Sequence, residues 1–253
     1  MNIQPRLIDC PMTMQERTTP LFIQIAETMK GRIARHEYDP GSFLPSSKDL
    51  AKEFNVSNIT IRRVTDVLAQ DGFIQPRRGM RAQVAILDNE IVEIEITGDF
   101  RTWVNTAIGK KFNIKVEVLD REVIPCPKPG QDILALEYVE RIKRVRKLKN
   151  EPVSYFVTYG PSHLLQKISN DQLEQRTFID LYQDKCNIEL KYMEQTVQAL
   201  KADLDLVSLL NVDFGFPLFY VHNVYFSNND IPQAVTHMYY RSDKYLYTAK
   251  RLI

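Results

Sequence analysis

Apolar positions in the first third of the chain recur at helical spacing. Leu21, Phe22, Ile25, Ala26, Met29 and Ile33 form one stripe. Thr19-Pro20 predicts its start: a capping hydroxyl, then proline at the first helical position, where the missing N–H costs nothing. Asp39-Pro40-Gly41 predicts the turn that ends it. A second helix opens at Pro45, with Ser46 and Asp49 as a loose capping box and Leu50, Ala51 and Phe54 as its buried side. After the tight turn Asn55-Val56-Ser57, a third helix runs from Ser57 as cap to about residue 70. It buries Ile61, Val64 and Leu68, with Gly72 just beyond its end. Phe73-Ile74 and residues 82–85 then read as two strands around the turn 76–81, a hairpin whose tip carries arginines.

Beyond residue 100 the period shortens toward two. Strands are predicted over 113–124, 138–149, 152–159, 188–200, 217–226, 232–240 and 245–251. Helices are predicted over 177–185 and 202–210, and turns at Asn150-Glu151 and Asn228-Asn229-Asp230. The fold class is α+β: an N-terminal helical head with a hairpin, then a mostly antiparallel sheet with helices on one side.

Charge divides the chain in the same place. The 253 residues carry 33 basic and 32 acidic side chains, so any basic footprint is local. Residues 1–85 have a net charge of +3, all of it in 57–85, where Arg62, Arg63, Arg77, Arg78 and Arg81 face only Asp66 and Asp71. Residues 86–100 hold five acids and no base. The expected organisation is a domain over 1–85, an acidic connector over 86–100 and a second domain over 101–253. Three distant cysteines, Cys10, Cys126 and Cys186, fit neither a disulfide framework nor a common zinc spacing, and a reducing cytoplasm is expected. No apolar run approaches a membrane span, and the first residues lack a signal-peptide core.

The third helix carries the chemistry of the head. Asn58 and Arg62 lie one turn apart, with Arg63 beside them. Two short helices joined by a tight turn, the second showing Asn and Arg from its first turn, have helix-turn-helix geometry. Asn suits adenine and Arg suits guanine, each worth about 1–3 kcal/mol of discrimination. A solvated face of an amphipathic helix would use the same residues. The arginine hairpin directly after the helix tilts the balance toward DNA, since arginines there suit phosphates and the minor groove.

The run Pro20-Leu21-(x)2-Gln24-Ile25-Ala26, Pro40-Gly41-(x)2-Leu44-Pro45-Ser46, Leu50-Ala51-(x)4-Val56-Ser57-(x)2-Thr60-(x)-Arg62, Leu68-(x)3-Gly72-(x)-Ile74 and Arg78-Gly79 resembles the GntR family of bacterial transcription regulators. The resemblance implies a winged helix-turn-helix over about 18–84. DNA contacts would come from Ser46, Lys48, Ser57, Asn58, Thr60, Arg62, Arg63, Arg77, Arg78 and the wing-tip Gly79. Ser47 stands where an acidic residue is common, and Asn58 where Arg is common.

No catalytic constellation stands out in the remainder. His36, His163, His222 and His237 are scattered, and no metal spacing, nucleophile elbow or phosphate-binding glycine loop is present. Arg144 and Arg146, two apart on a strand, share a face and suit a carboxylate or phosphate; a solvated basic edge would look the same. Ala234, Thr236, Met238 and Tyr240 share another strand face, which plain core would also explain.

Glu140-(x)3-Arg144-(x)-Arg146-(x)3-Asn150-(x)-Pro152 and Pro232-(x)6-Tyr239-Tyr240-Arg241-(x)-Asp243-(x)-Tyr245 resemble the UTRA effector domain of the HutC branch, whose fold is like chorismate lyase. The resemblance implies that Arg144 and Arg146 hold an anionic group and that Tyr240 lines the pocket beside Thr236. Thr177 would bond the ligand, and Phe100, Arg101 and Thr102 would present helix-start amides. Ala234 and Ile179 replace a Glu and a Tyr of amino-sugar-phosphate sensors. That points to an anion with a less hydroxylated body, such as an organic or aromatic acid. The expected function is a cytoplasmic, ligand-responsive repressor, a homodimer on a palindromic operator of double-stranded DNA, with no cofactor, metal or membrane partner. Two alternatives stay open: a chorismate-lyase-like enzyme domain fused to a DNA-binding head, and a structural DNA-binding protein with a closed pocket.

Overall fold

The computed structural model describes residues 19–75, 81–86, 92–96 and 114–249. The chain forms two compact units, residues 1–89 and 90–253.

The head holds α1 (Leu21–Ala34), α2 (Ser47–Glu53), α3 (Asn58–Gln70) and a small hairpin, β1 (Ile74–Gln75) against β2 (Gln83–Val84). Ile25, Ala26, Met29 and Ile33 of α1 pack with Leu50, Ile61, Val64 and Leu68 in one core. Pro20, not Thr19, occupies the cap of α1, and no side chain caps that end. Proline already supplies the extended entry, and Thr19 contributes its carbonyl, which accepts from Gln24 Nε2 at 2.8 Å. The start of α2 matches the pattern: Ser46 Oγ accepts from the Asp49 amide at 3.2 Å. Asn55 and Gly72 take the left-handed backbone (φ 51° and 76°) that reverses the chain after α2 and α3.

The second unit is built on a six-stranded antiparallel sheet in the order β4 (Ile114–Pro125), β5 (Tyr138–Leu148), β6 (Glu151–Gly160), β9 (Pro232–Arg241), β8 (Pro217–Ser227), β7 (Leu190–Lys201). In chain order it comprises β3 (Val92–Ile96), β4 (Ile114–Pro125), α4 (Lys128–Leu134), β5 (Tyr138–Leu148) and β6 (Glu151–Gly160). Helices α5 (Ser162–Leu165), α6 (Asn170–Gln175) and α7 (Phe178–Cys186) follow. Then come β7 (Leu190–Lys201), α8 (Leu204–Leu210), β8 (Pro217–Ser227), β9 (Pro232–Arg241) and β10 (Tyr245–Ala249). The β5–β6 turn sits at Lys149-Asn150, one residue before the expected pair. Both have positive φ (49° and 69°), as a two-residue hairpin of matching twist requires.

Helices lie on both faces of the sheet, not one. On one face, Leu164, Leu165, Leu173, Phe178, Leu181 and Tyr182 of α5–α7 pack with Ile142, Tyr225 and Ala234. On the other, α4 buries Leu134 beside Val139, Val224 and Val235, and α8 buries Leu206 and Leu210 against Tyr155, Val157 and Leu218. The last strand does not join this sheet. It pairs in parallel with β3, Tyr245 opposite Val92, inside the acidic stretch where no element was predicted. Cys126 and Cys186 are buried, and burial pushes both thiols up, as inert core cysteines should be.

Candidate functional site

Two candidate sites stand out, one in each unit. In the head, the Ser57 hydroxyl caps α3 by accepting from the Thr60 amide at 3.2 Å, and lies 3.0 Å from the Thr60 hydroxyl. The two hydroxyls therefore build the helix start. Asn58, Arg62 and Arg63 are exposed on α3. Arg63 also lies over the Phe22 ring at 5.8 Å, which ties it toward α1. Exposed Lys48 stands at the start of α2. A hydrogen bond from Ser46, and then the charges of Arg81 and Lys48, hold the Asp49 carboxyl below the usual range. The starts of α2 and α3 and the hairpin root thus present Lys48, Arg62, Arg63 and Arg81. Arg77, Arg78 and Gly79 lie outside the described residues.

In the second unit, Arg144 and Arg146 project from one face of β5 into a cavity of about 50 Å³. Thr177, Asn223, Thr236, Met238 and Tyr240 line it, with Val116, Phe156, Phe178 and Ile179 as apolar wall. No carboxylate belongs to the lining. Arg144 is 8% exposed. Burial, and then the neighbouring Arg146, lower its guanidinium to about 10. Its Nη2 donates to the Thr158 hydroxyl at 3.3 Å, which in turn lies 3.2 Å from the Thr236 hydroxyl. Arg146 stacks over the Phe156 ring at 4.4 Å. The Nε atoms of both arginines are buried without a hydrogen-bond partner. Buried donors of this kind call for an acceptor.

Thr177 caps α7, accepting from the Asp180 amide at 3.1 Å, so its hydroxyl hydrogen remains to be donated. Tyr240 stacks edge-on with Phe156 and with Tyr245 of β10, and the Tyr245 hydroxyl lies 3.1 Å from Ser154 Oγ. Ala234 does not line the cavity; it lies fully buried in the apolar cluster under α5–α7. Phe100, Arg101 and Thr102 lie outside the described residues. Thr158, Asn223 and Phe178 belong to this site without having been singled out in the sequence. Thr158 and Asn223 come from β6 and β8, which the sheet order brings to Arg144, and Phe178 comes from the start of α7, its ring 5.9 Å from the Arg144 guanidinium.

Other motif residues hold the frame. Glu140 pairs with Arg121, whose guanidinium also donates to the Ile168 and Leu165 carbonyls. Arg241 pairs with Asp243 and with Glu151, each at 2.7 Å. On the opposite face of the sheet, Tyr159, His237 and Tyr239 line a second cavity of about 240 Å³ with Pro127, Gly130 and Val157. His222 and His237 are not scattered: register pairs them across β8 and β9, their rings 5.0 Å apart.

The helical head with its hairpin and the antiparallel-sheet unit have counterparts among known proteins. Residues 22–84 match the bacterial regulatory proteins of the gntR family, and residues 109–246 match the UTRA domain. The chain is 26% identical over 238 residues to the HTH-type transcriptional regulator GgaR of Escherichia coli K12, covering 92% of this chain and 91% of that one. It is 22% identical over 233 residues to a probable fructoselysine utilization operon transcriptional repressor of Shigella flexneri, covering 88% and 91%. The crystal structure of PhnF from Mycobacterium smegmatis has the same fold, with TM-score 0.56 and 17% identity over 92% of this chain and 99% of that one. This chain belongs to the UTRA-domain regulators with a gntR-type DNA-binding head. It is a transcription regulator and not an enzyme. Among the described residues, no helix is long and apolar enough to cross a membrane.

Proposed function

We propose that the chain is a repressor of the HutC branch, binding a palindromic operator as a homodimer and responding to a small anion held by Arg144 and Arg146. The head over 1–85 would place α3 in the major groove, with Asn58 and Arg62 at base edges. Ser46, Lys48, Ser57, Thr60, Arg63, Arg77, Arg78 and Gly79 would serve the backbone and the wing. A coupling of about 1–3 kcal/mol would change operator affinity about 5–150-fold.

One observation carries the anion assignment: two arginines whose buried Nε donors lack partners face a cavity lined by no carboxylate. Val116, Phe156, Phe178 and Met238 beside them favour a ligand body with few hydroxyls, and Ile179 adds to that wall. Thr177, Thr236 and Tyr240 supply hydroxyls for its polar edge, while Phe100, Arg101 and Thr102 are proposed at the anion. Tyr240 packs on Tyr245, and β10 pairs with β3, part of the proposed connector over 86–100, and this path would carry the response.

A thermal-shift screen of the full chain against sugar phosphates, aromatic acids, dicarboxylates and sulfonates tests this. Binding to the folded state raises the melting temperature by mass action. The expected result is stabilisation by an aromatic or organic acid that Arg144→Ala and Arg146→Ala abolish. Stabilisation that survives both substitutions contradicts the site, and stabilisation by sugar phosphates alone contradicts the apolar body.

A further inference from the structure

Helix α3 turns one apolar side chain fully outward. Ile59 is 71% exposed, whereas Ile61, Val64 and Leu68 lie in the core. At about 100° per residue those three share one face, and Ile59 stands on the opposite one. Its outward neighbours are Asn58, Arg62, Arg63 and Asp66, all exposed. Scattered exposed apolar residues are ordinary on a surface, and Leu21 and Phe43 of the same unit are of that kind.

Ile59 differs in its place. It is the second residue of α3, in the turn that reaches base edges when such a helix enters the major groove. A β-branched residue there gives the helix less than alanine would, so the helix itself does not call for it. The two flanking arginines match a polyanion and speak against a second apolar protein surface. Asp66, one turn beyond Arg62, disfavours phosphate on this face and leaves base edges as the groups it meets. The major groove offers one apolar group, the C5-methyl of thymine.

We infer that Ile59 reads a thymine methyl in each half-site of the operator, between the bases met by Asn58 and Arg62. The inference rests on α3 being the recognition helix. It adds an apolar contact to the polar readout and makes Ile59 a specificity-determining residue.

The test uses full-length protein and an operator selected from random double-stranded DNA. Each thymine is replaced singly by deoxyuridine, which lacks only the methyl. Affinities are then measured for wild type, Ile59→Ala and Ile59→Val. One symmetry-related thymine should weaken wild-type binding about four-fold when demethylated, the worth of one buried methyl. Ile59→Ala should be insensitive at that position, and Ile59→Val should keep part of the sensitivity. Identical deoxyuridine penalties in wild type and Ile59→Ala would overturn the inference, as would no sensitive thymine. A change in self-association on Ile59→Ala with unchanged penalties would assign Ile59 to a contact between copies and equally overturn it. Selection of no operator would remove the DNA reading itself, an outcome distinguishable from the others.

Discussion

Arg144 donates to Thr158 at 3.3 Å, so this buried guanidinium rests on a neutral hydroxyl, and among the described residues no carboxylate pairs with it. With the half-buried Arg146 on the same face, the ligand-free unit keeps a second like charge beside the buried one. An anion binding there relieves the repulsion and meets the unpartnered donors. Ligand affinity and the instability of the empty site thus share one cause.

Arg144→Met follows directly. Replacing an uncompensated buried charge with an apolar side chain of similar length should stabilise the ligand-free protein by about 1–3 kcal/mol and abolish anion binding. Urea unfolding with and without the anion measures both. A loss of stability in the ligand-free variant would show that the charge is compensated in the native protein.

On DNA, Arg62→Ala should cost affinity mainly for the cognate operator. Arg77→Ala should weaken binding to all sequences about equally and lower the salt slope by about one. Titrations of operator and random DNA over a range of salt separate the two. Equal, sequence-independent losses would remove base readout from Arg62.

Acid should weaken the second unit through its paired histidines. Burial, and then His222, hold His237 at about 4, and burial lowers His222 as well. Both values are depressed, so the stability they contribute is fully present above the unfolded value of about 6.5 and is lost as pH falls toward 4. His237 alone accounts for about 3 kcal/mol. Carboxylates held low, such as Glu151, act at still lower pH. Denaturant midpoints from pH 7 to 4.5 should fall, and His237→Gln should flatten the curve. A slope unchanged in that variant would contradict the assignment.

Tyr245 offers a way to separate binding from response. Its ring packs against Tyr240, its hydroxyl meets Ser154 at 3.1 Å, and its strand pairs with β3. Its hydroxyl also bonds Arg146, so Tyr245→Phe should change anion affinity modestly while lowering the operator response about five-fold, the worth of one buried hydrogen bond. Equal losses in both would make Tyr245 part of the binding site only.

The head was largely legible because its signals are local. Apolar spacing and the Ser46 and Ser57 caps mark α2 and α3, and the i, i+2 spacing of Arg144 and Arg146 sets their shared face. Helices α4, α5 and α6 escaped notice because each is too short for a period to show. Pro127, Pro161 and the Ser169–Gln172 capping box were their only marks. Strand β3 was hidden by its charge, since Glu93 and Glu95 alternate with Val92, Ile94 and Ile96 in a stretch read as an acidic run. Thr158 and Asn223 needed the sheet order, which depends on contacts between residues far apart in the chain.

The most direct test measures operator affinity of the full-length chain at fixed salt, with and without an anion that stabilises it through Arg144. The account predicts a shift of about 5–150-fold in the wild type and none in Arg144→Ala. An anion that binds through Arg144 yet leaves operator affinity unchanged would contradict it.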